Sequence, residues 1–282
     1  MRLSRNPAGN PWIAAVPAVV LTLAFFAIPI FYTALLSVTD PASGAWTLAN
    51  YRAFFSNAVF LAALWRTILL ALSAVFFATL LAYPVTYYLA FVAKPEHRTL
   101  LLLLLVAPFW TSFAIRAFSW QLVLADGGLI AWLVSKGTGF VPQFKFLYTM
   151  GASVLGLALF GTILISLFLY SVMATLDRRL IEASASLGAS RLRSFFEVIL
   201  PLSLPGWLTG AVLTLIICVG DYAVPSLLGG GFNPVLAQLM LSILKGTYDL
   251  PLAATFAVVL VGLVAIAALP MLTSVRHVRL QS

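Results

Sequence analysis

Side chains able to do bond chemistry are scarce in this 282-residue chain: eight Asp and Glu, two His and one Cys. Acid–base work by a carboxylate pair needs two acids within a few ångströms, sharing a proton. Asp221 is lodged between Gly220 and Tyr222 in an apolar run, while Asp249, after Tyr248, falls in a loop. Cys218 has no partner for a disulfide or a thiol-bound metal and reads as a buried small hydrophobe. The chain holds neither an H-E-x-x-H pair for zinc hydrolysis nor a G-x-x-x-x-G-K-[ST] loop for cradling ATP phosphates.

What remains is charge placed where charge is costly. Asp221, Arg116 and Arg66 fall inside or near the ends of long apolar runs, where an ionised side chain costs at least about 2.5–3.5 kcal/mol and therefore faces protein or water. Asp221 reads either as a pathway carboxylate that attracts a cation or as a structural partner of Arg116 or a gate contact, with Tyr222 beside it. Arg116 would repel a polycation unless neutralised, which favours a paired or interfacial place. Around it Trp110, Phe113, Phe118 and Trp120 either line a cation path through their π faces or anchor an interfacial belt. Arg66 is expected to reach the headgroups.

The elements that position these groups are membrane spans. With 62% apolar and 9% charged residues, the composition excludes a soluble core. Six windows are long enough to cross about 30 Å of hydrocarbon: Trp12–Val38, Leu61–Ala93, Leu100–Leu124, Leu147–Leu176, Gly206–Leu228 and Leu252–Val275. Pro17, Pro29, Pro84, Pro108, Pro225 and Pro270 within them predict kinks rather than ends. The first run follows Arg2 and Arg5 and is nearly twice the length of a signal-peptide apolar region, so it reads as a retained span.

The net charge of +8 is thinly spread and forms no continuous basic face for nucleic acid. It sorts by side instead. Arg2, Arg5, Lys94, Arg98, Arg178, Arg179, Arg191, Arg193, Arg276 and Arg279 collect on one side; Arg52, Lys136, Lys145 and Lys245 lie on the other. The richer side is cytoplasmic. The expected layout is a cytoplasmic N-terminus (1–11), a six-helix domain (12–275) with a cytoplasmic loop at 177–205, and a cytoplasmic C-terminus (276–282). Outside, GLIAWLVSKG after Asp126 is too short to span and predicts a short interfacial helix, either a lid or a plain connector. Gly229, Gly230 and Gly231 read as a hinge or a helix stop, and Gly206 and Gly210 as a G-x-x-x-G contact, perhaps with a partner chain.

The loop at 177–205 is polar between two oily stretches. Asp177 can cap a helix over which Leu180, Ile181, Ser184 and Leu187 recur at helical spacing, and Gly188 can end it with positive φ. Leu192, Phe195, Phe196 and Ile199 start a second apolar stripe before Pro201 stops or kinks it. Small Ala183, Ser184, Ala185 and Ser186 leave room for another surface to come close. The result is either a docking knob or an amphipathic loop on the headgroups.

Glu182-Ala183-Ser184, then Gly188, then Val198, Leu200 and Pro201 resemble the EAA signature of ATP-binding-cassette importer permeases, E-A-A, G, I, L-P at matching spacing, with Ser184 and Val198 departing from it. The resemblance implies an all-α polytopic membrane protein with the type I ABC importer permease fold. It implies a coupling helix at Glu182 to Gly188, with Ala183, Ser184 and Leu187, that seats in an ATPase subunit. Segments 115–133 (IRAFSWQLVLADGGLIAWL) and 220–230 (GDYAVPSLLGG) resemble the spermidine and putrescine importer permeases and relatives for opines, aminoethylphosphonate and other small amines. Ferric ion and other small solutes remain alternatives. The implied partners are two ATP-binding subunits holding ATP and Mg, a second permease subunit and an extracytoplasmic binding protein, in a bacterial inner membrane. This chain itself would bind no cofactor and catalyse nothing.

Two other classes stand against this. Val219-Gly220-Asp221 and Tyr248-Asp249 resemble the active-site elements of intramembrane aspartyl proteases, but the order is reversed and Cys218 replaces the first Gly. An ion-coupled secondary transporter would often carry repeated halves, and no repeat is evident.

Overall fold

A computed structural model describes residues 11–40, 43–138 and 146–279. Arg2, Arg5 and Lys145 lie outside the described residues. Six helices are long and apolar enough to cross a membrane: Val16–Ser37, Ala58–Val92, Phe113–Gly137, Met150–Met173, Arg191–Gly220 and Leu250–Leu269. The chain divides into two compact units, one of residues up to Ala58 with Met240–Val259, the other Val59–Leu239 with the residues from Leu260 onward.

In the larger unit the core lies where the second, fourth and fifth spans meet. Small residues let the backbones approach, as membrane helices require when lipid is as apolar as their side chains. Ala71, Ala74, Ala78 and Ala82 form a buried stripe on the second span, and Ala78 and Thr214 press on Gly161 of the fourth. A Cβ on Gly206 would lie 2.6 Å from the Phe168 carbonyl oxygen, and one on Gly210 would lie 2.8 Å from the Ile165 Cα. The G-x-x-x-G pair is therefore committed to the fourth span of its own chain and not to a partner. At the far end of these helices Tyr148 donates its N–H to the Leu228 carbonyl, 2.7 Å, and a Cβ on Gly230 would strike Tyr148. The glycine triple is a point of close approach.

Prolines act in three ways. Pro17, Pro84 and Pro205 sit inside continuing helices. Pro29 and Pro201 each follow a π turn, Leu23–Ala27 and Phe195–Ile199, by one intervening residue. The wider turn shifts the hydrogen-bond ladder before a residue without an N–H, so the helix continues. Hence Pro201 does not stop the second helix of the polar loop: Arg191 to Gly220 is one run. Pro108, by contrast, ends a helix. The stretch expected as one third span is two helices, Pro95–Val106 and Phe113–Leu124, separated by the 3-10 turn Ala107–Trp110 and extended Thr111. Thr111 satisfies the Pro108 carbonyl with both its N–H (3.2 Å) and its hydroxyl (2.7 Å).

The expected short helix after Asp126 is present at Leu129–Thr138, above a cavity of about 180 Å³ lined by Leu124, Ile130, Ala131 and Leu155. A further helix, Leu236–Gly246, occupies what was read as loop. Its buried Leu236 N–H donates to Thr67 Oγ1, 2.9 Å. In the smaller unit, Asn50 donates to the Ser37 and Thr39 carbonyls, Tyr51 meets the Ser37 hydroxyl at 2.8 Å, and Phe54 stacks edge-on against Phe256.

Candidate functional site

The polar loop folds as a helix, a sharp turn and a second helix. Asp177 Oδ1 accepts the Arg179 N–H at 2.9 Å, which starts the helix Arg178–Ser186. Three bonds finish it: Leu187 N–H to the Ala183 carbonyl (3.1 Å), Gly188 N–H to Ala185 (2.9 Å) and Ala189 N–H to Ser184 (3.1 Å). With Gly188 at φ +83°, this is the Schellman ending that sequence spacing predicts. Ser190 then accepts the Arg193 N–H at 3.3 Å and opens the next helix.

The knob is fastened on one side only. Ile181 and Leu176 pack with Phe195 on the buried cluster of Leu169, Met173 and Ile199. Ser184 Oγ meets the buried Ser194 Oγ at 2.8 Å, a bond between the two helices that alanine, the usual third residue of the signature, could not make. The outer side carries Leu187, 89% exposed, with exposed Leu192 and Phe196. Glu182 and Ala183 are exposed as well, and Glu182 makes no ion pair among the described residues. Val198 and Leu200 are half-buried in the run that leads into the fifth span, and Pro201 is exposed. Arg193 and Glu197 form an exposed pair at 2.9 Å, which contributes little.

The second candidate region surrounds Arg116. Its guanidinium lies over three rings, Phe160 at 5.0 Å, Phe113 at 5.4 Å and Phe109 at 5.8 Å, and its Nε is buried with no hydrogen-bond partner among the described residues. Stacking of this kind offsets part of the cost of a cation inside a membrane. Arg116 and Trp120 share the wall of a cavity of about 360 Å³ with Phe160, Thr162 and Val224. Phe113 and Arg116, three apart on one helix, are recognisable neighbours in sequence. Phe160 comes from the fourth span and carries no local signal. Trp110 is 77% exposed and stands apart from this wall.

Asp221 is not the partner of Arg116. It breaks the fifth span after Gly220 and caps the short helix Ala223–Leu228, its Oδ1 accepting the Ala223 N–H at 3.2 Å and its Oδ2 the Val224 N–H at 3.0 Å. The expected apolar run to Leu228 is therefore interrupted, because a short-range side-chain cap competes with the helix ladder at that residue. Tyr222 next to it is half exposed.

The model of the family described as binding-protein-dependent transport system inner membrane component matches residues 8–279. The inner membrane ABC transporter permease protein YdcU of Escherichia coli (strain K12) is 31% identical over 234 residues, covering 78% of this chain and 73% of that protein. The spermidine/putrescine transport system permease protein PotB of the same organism is 31% identical over 218 residues, covering 76% and 78%. The fold is that of a bacterial ABC transporter involved in the import of the acidic polysaccharide alginate, with TM-score 0.72 at 18% identity over 91% of this chain and 92% of that one. A match running nearly end to end, six apolar helices and a helix-turn-helix carrying the signature spacing lead to one conclusion: the chain belongs to the inner-membrane components of binding-protein-dependent ABC transporters, as a multi-pass permease subunit and not an enzyme.

Proposed function

We propose that this permease imports polyamines or related small amines handed over by an extracytoplasmic binding protein. The observation that carries the substrate class is the 31% identity to PotB over about three quarters of the chain. Two ATP-binding subunits, which hold ATP and Mg, and a second, homologous permease complete the transporter; this chain contributes half of the path. Both termini and the helix Arg178–Ser186 are cytoplasmic, in keeping with the ten-to-four division of basic residues.

In this reading Glu182, Ala183, Ser184, Leu187 and Gly188 form the coupling surface, with Val198, Leu200 and Pro201 joining it to the fifth span. Closure of the ATPases on ATP pushes the exposed Leu187 end. Because Ile181 and Ser184 tie the knob to the core, the push tilts helices and does not dissipate in a loop. Asp221, Tyr222, Arg116, Trp110 and Trp120 are the candidates for contact with the moving solute. The test is uptake of labelled putrescine by the transporter reconstituted with its cognate binding protein, alongside a ligand screen on that protein. Amine binding with ATP-dependent uptake supports the reading; a binding protein that takes no amine overturns the substrate class.

A further inference from the structure

The end of the second span carries an arrangement that the transport cycle does not use. Its last turn, Tyr88–Val92, is a π turn, and helix ends leave carbonyls in need of donors. The Ala90 carbonyl accepts from Arg98 Nη2 and from Arg178 Nη2, each at 3.3 Å, and Arg98 also reaches the Ala93 carbonyl at 3.4 Å. Two guanidiniums thus converge on one oxygen, within two hydrogen-bond lengths of each other, and neither forms an ion pair among the described residues. Asp177, beside Arg178, is engaged with the Arg179 N–H, and Glu96 sits two residues before Arg98, off its face of the helix. Arg98 Nε is buried without a partner. Exposed Lys94 adds a third positive charge just before this helix. Helix-end carbonyls account for some of the donors of two guanidiniums, and the remainder calls for an anion with several acceptor oxygens.

An apolar groove adjoins the pair. It is open, about 530 Å³ in volume, and runs between the second span and the helix Pro95–Val106 along Tyr88, Leu89, Leu101, Leu104 and Leu105. Leu89 directly precedes Ala90, while Arg98, Leu101 and Leu105 follow one another at helical spacing on a single face. Cationic head and apolar channel are therefore continuous.

We propose that this is a binding site for one anionic phospholipid, its phosphodiester held by Arg98 and Arg178 and an acyl chain laid in the groove. A free phosphate would satisfy the arginines and leave the groove to nothing; a zwitterionic lipid would bring its own cation against them. Arg178 is also the first residue of the helix that ends at Gly188, so the lipid ties that helix to the second and third spans.

The complete transporter, purified in mild detergent and exchanged into nanodiscs of phosphatidylcholine with or without phosphatidylglycerol, tests this by native mass spectrometry of retained lipid. The wild type is expected to keep phosphatidylglycerol over phosphatidylcholine. An R98Q/R178Q double variant should bind it about 25-fold more weakly, from about one kcal/mol per arginine near a headgroup. Leu101→Trp, which fills the groove and leaves the charges alone, should also lose the lipid, so a folding failure of the double variant does not decide the matter. Equal retention of the two lipids by the wild type, or undiminished phosphatidylglycerol in either variant, overturns the site. Displacement of the lipid by millimolar inorganic phosphate, or its absence once the ATPase subunits are assembled, overturns the lipid as occupant.

Discussion

Replacing Gly188 separates backbone strain from lost contact at the tip of the knob. The residue sits at φ +83°, where an L side chain costs about 1–2 kcal/mol, yet a Cβ there would meet nothing within 4 Å. Packing therefore adds no penalty inside the chain. Gly188→Ala either holds the left-handed turn and carries the strain, or unwinds and gives up the bonds from Gly188 and Ala189, each worth about 0.5–1.5 kcal/mol. The two routes cost about the same, so the properly formed turn should fall about 5- to 30-fold in population. Asn tolerates this region and should recover most of the loss, while a β-branched Val should be worst. The measurement is retention of the ATPase subunits during purification, set beside thermal unfolding of the permease. Because the turn is exposed, the unfolding midpoint should hardly move while retention falls in the order Gly, Asn, Ala, Val. Equal retention by Asn and Val, or an Ala variant as good as wild type, would refute the reasoning that docking needs a left-handed turn.

Other outcomes follow from the packing and the caps. Gly206→Ala places a methyl against the Phe168 carbonyl and should lower stability by about 1–3 kcal/mol, whereas Gly262→Ala, which faces open space, should stay within about 0.5 kcal/mol; thermal unfolding in detergent compares them. Thr67→Val removes the acceptor of the buried Leu236 N–H and should cost about 1–3 kcal/mol in the same assay, with Thr67→Ser close to wild type. Asp221→Asn keeps an oxygen for the cap and should leave assembly intact; if the charge guides a cationic solute, amine uptake falls, and unchanged uptake removes Asp221 from the path.

The helix-turn-helix was legible because each of its decisions is local: a capping Asp177, a stripe through Ile181, and a glycine where φ must be positive. Hydropathy likewise yields the number of spans, since lipid selects on composition over long windows. It is blind to Pro108 against Pro84. Both lie in oily runs, and the difference rests on whether neighbours such as Thr111 take over the freed carbonyl. The helix Leu236–Gly246 was missed for a related reason: it is too short to span, and its first turn is held by Thr67, far away in sequence. At the second candidate region the same divide runs between Phe113, one helical turn from Arg116, and Phe160, which only the packed fold brings to it. The pairing of Asp221 with Arg116, reasonable for two charges in apolar surroundings, failed because backbone N–H groups two and three residues on were nearer acceptable donors.

The three π turns, Leu23–Ala27, Tyr88–Val92 and Phe195–Ile199, have a consequence for how this chain tolerates change in length. Such a turn is an ordinary helix carrying one surplus residue. Deleting a single residue there lets the coil relax to standard winding with the faces before and after it still in phase. The same deletion in the middle of Met150–Met173 would swivel everything beyond it by about 100° and turn the stripe bearing Gly161 and Ile165 away from its neighbours.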